Sequence, residues 1–68
     1  MTSLTLEVIF EGHNEFTIIY KINGKPLDVV GPISYYDMVD KDKAIIHRML
    51  GVEEASLFDE AIDRLENS

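Results

Sequence analysis

The chain has 68 residues, with thirteen Asp and Glu against six Lys and Arg for a formal net charge of −7, and it reads as one small acidic domain spanning 1–68. At 46% hydrophobic it is too apolar to stay unfolded, and the absence of cysteine excludes disulfide staples and thiolate zinc sites. The negative balance repels phosphate backbones and anionic lipid surfaces, which argues against direct nucleic-acid binding and membrane docking.

The segment Ser3 to Glu11 alternates, with Leu4, Leu6, Val8 and Phe10 on one side and Thr5, Glu7, Ile9 and Glu11 on the other. Period two over that length predicts a half-buried strand. Gly12, His13 and Asn14 then supply turn chemistry. The next strand begins at Glu15, and pairing Phe10 with Phe16 sets Val8 against Ile18, Leu6 against Tyr20 and Leu4 against Ile22. Leu4, Leu6, Val8 and Phe10 then each meet an apolar partner of the second strand on a single face. The same register sets Glu11 opposite Glu15, an unfavourable like-charge pair.

Asn23-Gly24 is the strongest short hairpin signal in the chain, because a type I′ turn needs positive φ at both central residues. A two-residue loop places Ile22 opposite Lys25, Tyr20 opposite Leu27 and Ile18 opposite Val29. Leu27 and Val29 are therefore expected on the core face. Lys21 and Pro26 form a non-hydrogen-bonded pair, so the missing N–H of Pro26 faces outward and the third strand must be an edge. Gly31-Pro32 is expected to end the sheet.

Ser34, with Asp37 three residues on, resembles a capping box, and a single helix is expected from there to Leu50, closed by Gly51. Its apolar stripe is Tyr35, Met38, Val39, Ile45, Ile46, Met49 and Leu50. Asp42 falls inside that stripe. Either it sits at the margin or the helix breaks near Asp40-Lys41-Asp42, and the continuous helix is the preferred reading. Val52, Ala55, Phe58, Ala61, Ile62 and Leu65 predict a second helix over roughly 53–66, starting a turn later if Ser56 and Asp59 form a capping box. The fold class is α+β: a three-stranded antiparallel β-meander followed by two α-helices packed on one face, in the order βββαα.

No catalytic, cofactor-binding or metal-binding set emerges. There is no phosphate-cradling glycine loop, nucleophile elbow or defined metal spacing. His13 sits among Glu11, Asn14 and Glu15 without such spacing. His47 beside Arg48 reads as a surface residue complementing a helix C-terminus. Met38, Met49 and Tyr35 read as core rather than as a recognition box. With no basic n-region before an apolar block and no long apolar run, a cytoplasmic location is the default expectation.

Two features stand above an ordinary surface. The second face of the sheet would carry Ile9, Thr17, Ile19 and Val30, an exposed β-branched patch of the kind that marks association surfaces. Charge is also uneven along the chain. Residues 52–68 carry Glu53, Glu54, Asp59, Glu60, Asp63 and Glu66 against Arg64 alone, giving −5, while 35–51 balance to zero. Glu53, Asp59, Glu60, Asp63 and Glu66 are the candidate partner-binding residues, presented to a basic surface.

In general profile (small, acidic, cysteine-free, a meander with helices) the chain resembles phage-encoded and other small accessory proteins that bind and modulate a larger partner. That resemblance implies a non-enzymatic protein-binding module, in particular an inhibitor mimicking nucleic acid electrostatically. The alternative is a self-associating protein that forms a homodimer through the Ile9/Thr17/Ile19/Val30 face.

Overall fold

A computed structural model describes residues 2–67. Strands β1 (Leu4–Gly12), β2 (Glu15–Ile22) and β3 (Lys25–Ser34) form an antiparallel sheet in the order β1-β2-β3. Helices α1 (Asp40–Leu50) and α2 (Phe58–Glu66) come next, each preceded by a 3₁₀ turn, Tyr35–Asp37 and Ala55–Leu57. This is the βββαα, α+β architecture expected from the sequence.

Asn23 and Gly24 both have positive φ, at 51° and 83°, as the tight turn requires. Asn23 does more than turn the chain. Its side-chain oxygen accepts the Ser3 N–H at 2.9 Å, and its own N–H donates to the Ser3 carbonyl at 2.8 Å, tying the start of β1 to the hairpin. Pairing of β1 with β2 keeps the expected register from Leu4↔Ile22 to Phe10↔Phe16. The like-charge pair does not form. A bulge after Phe10 puts Gly12 opposite Glu15, and Glu11 instead accepts a hydrogen bond from the Thr17 hydroxyl at 3.3 Å.

Between β2 and β3 the expected register holds for Ile22↔Lys25 and Lys21↔Pro26, then slips by one residue. Tyr20 faces Asp28 rather than Leu27, and Ile18 faces Val30 rather than Val29. The irregularity spans Leu27, the extra residue of a bulge. Because side chains alternate with period two, one extra residue exchanges the faces of the rest of the strand. Val29 is consequently 54% exposed, not core, and Leu27, the bulge residue itself, is also exposed rather than core. Val30 packs against the core cluster and does not belong to the second face. Nor does Gly31-Pro32 end the sheet, since β3 runs on to Ser34 through a second bulge opposite Thr17. Gly31 has φ of 118°, and a Cβ there would lie 2.5 Å from the Phe16 carbonyl oxygen, so only glycine lets β3 approach β2 this closely.

The expected single helix from Ser34 to Leu50 is divided. Ser34 does cap, its hydroxyl accepting from the Tyr36 N–H at 3.3 Å, but only the Tyr35–Asp37 turn comes after it. Met38 and Val39 are extended, and Val39 stands at the N-cap position of α1 without a side-chain cap hydrogen bond. The division lets both Tyr35 and Met38 enter the core while Asp40 and Asp42 occupy the favourable first turn of α1. Val39 and Met49 of the expected stripe lie at the surface. Gly51, at φ of 72°, ends α1 with a Schellman pair: Gly51 N–H to Arg48 O and Val52 N–H to His47 O. Val52 is buried by that turn. The second helix starts at Phe58, later than 53, and Ala55 is exposed rather than part of its buried stripe.

The core joins Phe16 and Ile18 of β2 to Tyr35, Met38, Ile46, Phe58 and Ile62. It lies at the Gly12–Glu15 end of the sheet. An 11-residue helix is only about 16 Å long, against roughly 30 Å for a strand of nine or ten residues. The Asn23–Gly24 end of the same face therefore outruns the helices, leaving Leu4 and Leu27 each 63% exposed.

Candidate functional site

Three pieces of chain meet at the covered end of the sheet. Phe58, the first residue of α2, is buried and stacks on Tyr35 with ring centroids 3.9 Å apart. Tyr36 meets Phe58 edge-on, and its hydroxyl donates to Asp59 Oδ1 at 2.9 Å. The β1–β2 turn is fixed to the same end, because the Asn14 carbonyl accepts the Tyr35 N–H at 2.7 Å and its side-chain oxygen accepts the Ser34 hydroxyl at 3.3 Å. His13, in the left-handed region at φ of 53°, then reaches Glu66 at the far end of α2, with Nδ1 3.4 Å from Oε1.

With the aromatic anchor inside, the outer side of α2 and the turn enclose an open cleft of about 230 Å³, lined by His13, Asn14, Phe58, Asp59, Ile62, Asp63 and Glu66. Asp59, Asp63 and Glu66 are four and three residues apart, which places them on one stripe of the helix. Three of the five acids expected to bind a partner are thereby brought together. Glu60 is exposed on α2 but lies off that stripe. Glu53 is not on the helix at all; it sits in the bend before the Ala55–Leu57 turn. Among the described residues, none of the three cleft acids forms an ion pair with a lysine or arginine.

The electrostatics of the site show in its tyrosine. Tyr36 holds its proton above the ordinary range, first because it donates to Asp59, then through desolvation and the Asp59 charge. His13, Asn14 and Tyr36 were not legible as a site. They are distant in sequence from α2, and it is tertiary contacts, among them the Asn14–Tyr35 bond, the Phe58 stack, the Tyr36–Asp59 bond and the His13–Glu66 pair, that bring them to it. The one local signal is Tyr36, an aromatic off the apolar stripe beside a buried one.

The second face of the sheet is only partly as expected. Ile9 is 41% exposed and Ile19 half-buried, but Thr17 is buried and engaged with Glu11. Val29 replaces Val30 there, opposite Ile19. Glu7 and Lys21 bridge at 2.8 Å on the same side.

Two further polar pairs are structural in character. His47 is not a free surface residue: it is half-buried, its Nε2 is 2.5 Å from the Tyr35 hydroxyl, and its ring stacks on that of Tyr35. Asp42 is buried and accepts the Tyr20 hydroxyl at 2.5 Å, beside an open groove lined by Leu4, Tyr20, Leu27, Asp28 and Lys41. Among the described residues, no three His, Asp or Glu side chains converge where a metal ion could sit, and no helix is long and apolar enough to cross a membrane.

No protein-family model matches this chain, and neither curated proteins nor solved structures yield a match.

Proposed function

We propose that the chain is a non-enzymatic protein-binding module that presents the acidic side of α2 to a basic surface on a larger protein and so inhibits or modulates it. The observation that carries this reading is the convergence of Asp59, Asp63 and Glu66 on one cleft, without a lysine or arginine partner among the described residues. A cleft of that size suits the end of a lysine or arginine side chain. His13 and Asn14 give its far wall polar character, and Phe58 and Ile62 form a floor against which an aliphatic stem can pack.

The spacing also supports nucleic-acid mimicry as the mode of action. A rise of about 1.5 Å per residue spreads the three carboxylates over about 10 Å of axis, a linear charge density of the same order as one DNA strand. A groove built for phosphates would accept such a row, and the partner would then be a nucleic-acid-binding protein.

The test is association kinetics with a basic partner drawn from the native host, or with an arginine-rich peptide as probe. Association is expected to be fast at low salt and to slow steeply above about 0.1 M, where the Debye length is about 10 Å. Reversing Asp63 and Glu66 to Lys should slow capture severely. Capture by that variant at the wild-type rate in low salt would leave the acidic side as a solvated surface and end the proposal.

A further inference from the structure

The two edges of the sheet differ. β3 carries Pro26 and Pro32 and is interrupted by two bulges, devices that prevent a further strand from pairing. β1 carries none of these along Leu4–Phe10, and its residues up to Glu7 are exposed. The Asn23 N–H to Ser3 O bond, with Leu4 opposite Ile22, fixes which way its backbone groups point. Ser3, Thr5, Glu7 and Ile9 address β2, so Leu4, Leu6, Val8 and Phe10 turn their N–H and C=O groups to the open edge.

We infer that β1 pairs antiparallel with β1 of a second copy of this chain, centred on Val8, to make one six-stranded sheet. Val8 is the midpoint of Leu4–Gly12 and one of the outward-turned residues, so a two-fold axis there pairs Leu6–Phe10 of the two copies on the regular part of the strand, before the bulge that follows Phe10. Leu6 then faces the partner's Phe10, Glu7 faces the partner's Ile9, and no two acids are directly opposed. The antiparallel arrangement also sets the uncovered Leu4–Leu6 end of one copy beside the helix-covered end of the other. Leu4 and Leu6 are exposed in the single chain, Leu6 at 42%. Because β3 is closed to pairing, the contact uses the same edge twice and stops at two copies rather than growing into a fibre. This surface is separate from the acidic cleft, and the two respond oppositely to salt. Copies that each carry −7 repel, so dimerisation strengthens as salt screens them, whereas capture of a basic partner weakens.

Sedimentation equilibrium of the full chain over a concentration series, at low and high salt, tests the stoichiometry. The mass is expected to rise from 7.7 kDa to twice that value and no further, at lower concentration when salt is high. Amide exchange by NMR tests the surface: the Leu6, Val8 and Phe10 amides should slow by about tenfold or more at dimeric concentrations. Leu6→Pro removes an outward N–H without touching the β2 ladder and should be monomeric with unchanged circular dichroism. Leu6→Lys at the exposed edge is the second variant should the proline disturb folding. A chain that stays monomeric at both salts overturns the inference. So does a dimer whose Leu6, Val8 and Phe10 amides still exchange freely, or a folded Leu6 variant that dimerises as the wild type does.

Discussion

The Tyr20 hydroxyl on β2 donates to the Asp42 carboxylate on α1 across the sheet–helix boundary, and this bond explains a carboxylate in the middle of an apolar stripe. Asp42 is 6% exposed, and its charge is tolerable because it has this donor and the first turn of α1 around it. Tyr20→Phe should therefore cost about 1–3 kcal/mol, since the buried acceptor is left unpaired. Adding Asp42→Leu to Tyr20→Phe should recover much of that loss. Urea denaturation of the single and double variants checks both statements. Equal stability of Tyr20→Phe and wild type would show that the bond contributes nothing.

The same pair makes stability depend on pH at the alkaline end. Burial, then the hydrogen bond to Asp42, then the charges of Asp42 and Asp28 push the Tyr20 pKa up from 10.0 to about 12. A pKa raised in the folded state means its contribution is complete below about pH 10 and is lost as pH climbs toward about 12. Tyr35, raised by burial, and Tyr36 act in the same direction. The stability gap between wild type and Tyr20→Phe should therefore narrow between about pH 10 and 12. A gap that stays constant across that range would contradict the linkage.

The bulge at Leu27 makes two adjacent valines opposite in character. Val29→Lys should change stability by no more than about 0.5 kcal/mol, whereas Val30→Lys should cost about 2 kcal/mol or more because Val30 packs on the core. Ile18→Lys, at a fully buried site, should abolish folding, while the half-buried Ile19 on the other face should accept lysine at small cost. Thermal melts of the four variants decide the matter. An unbroken register would reverse the order of the two valines.

Backbone requirements give a sharper pair of outcomes. Gly31→Ala should cost about 3 kcal/mol or more, because it combines a positive φ with a clash against the Phe16 and Thr17 backbone. Asn23→Ala should cost about 1–2 kcal/mol, through the left-handed turn position and the lost bond to the Ser3 N–H. Chevron analysis of both variants would give the two numbers. A neutral Gly31→Ala would mean that β3 does not approach β2 as described.

How much could be read from residues alone depends on where each constraint is local. Alternation in Leu4–Phe10 and in Phe16–Ile22 has a single phase, so the β1–β2 register was legible to the residue. In Leu27-Asp28-Val29-Val30 the two valines are interchangeable by hydropathy, so the phase of β3 was not, and the bulge that sets it has no side-chain signature. Gly31-Pro32 reads locally as a stop, but its glycine is a close-approach position inside the strand. The conflict at Asp42 was visible and did mark a divided helix. Its resolution was hidden because Tyr20 lies 22 residues away. The acids were legible as composition; the cleft needed the fold.

The acids of α2 divide into two groups by what they do for the helix, and this determines which variants report on binding. Asp59 and Glu60 stand in the first turn, where a carboxylate complements the helix dipole, and Asp59 also accepts the Tyr36 hydroxyl. Reversing either to Lys should cost about 0.3–1 kcal/mol from the dipole alone. Asp63 lies beyond that turn, and the ion pair Glu66 makes among the described residues is with the exposed His13, a contact that contributes little. Their reversal should leave the melting temperature close to wild type. Partner capture that falls with Asp63→Lys and Glu66→Lys at unchanged stability would locate binding at the cleft. Capture lost only in proportion to the melting temperature, and equally for Glu60→Lys, would mean that the acids serve α2 and not a partner.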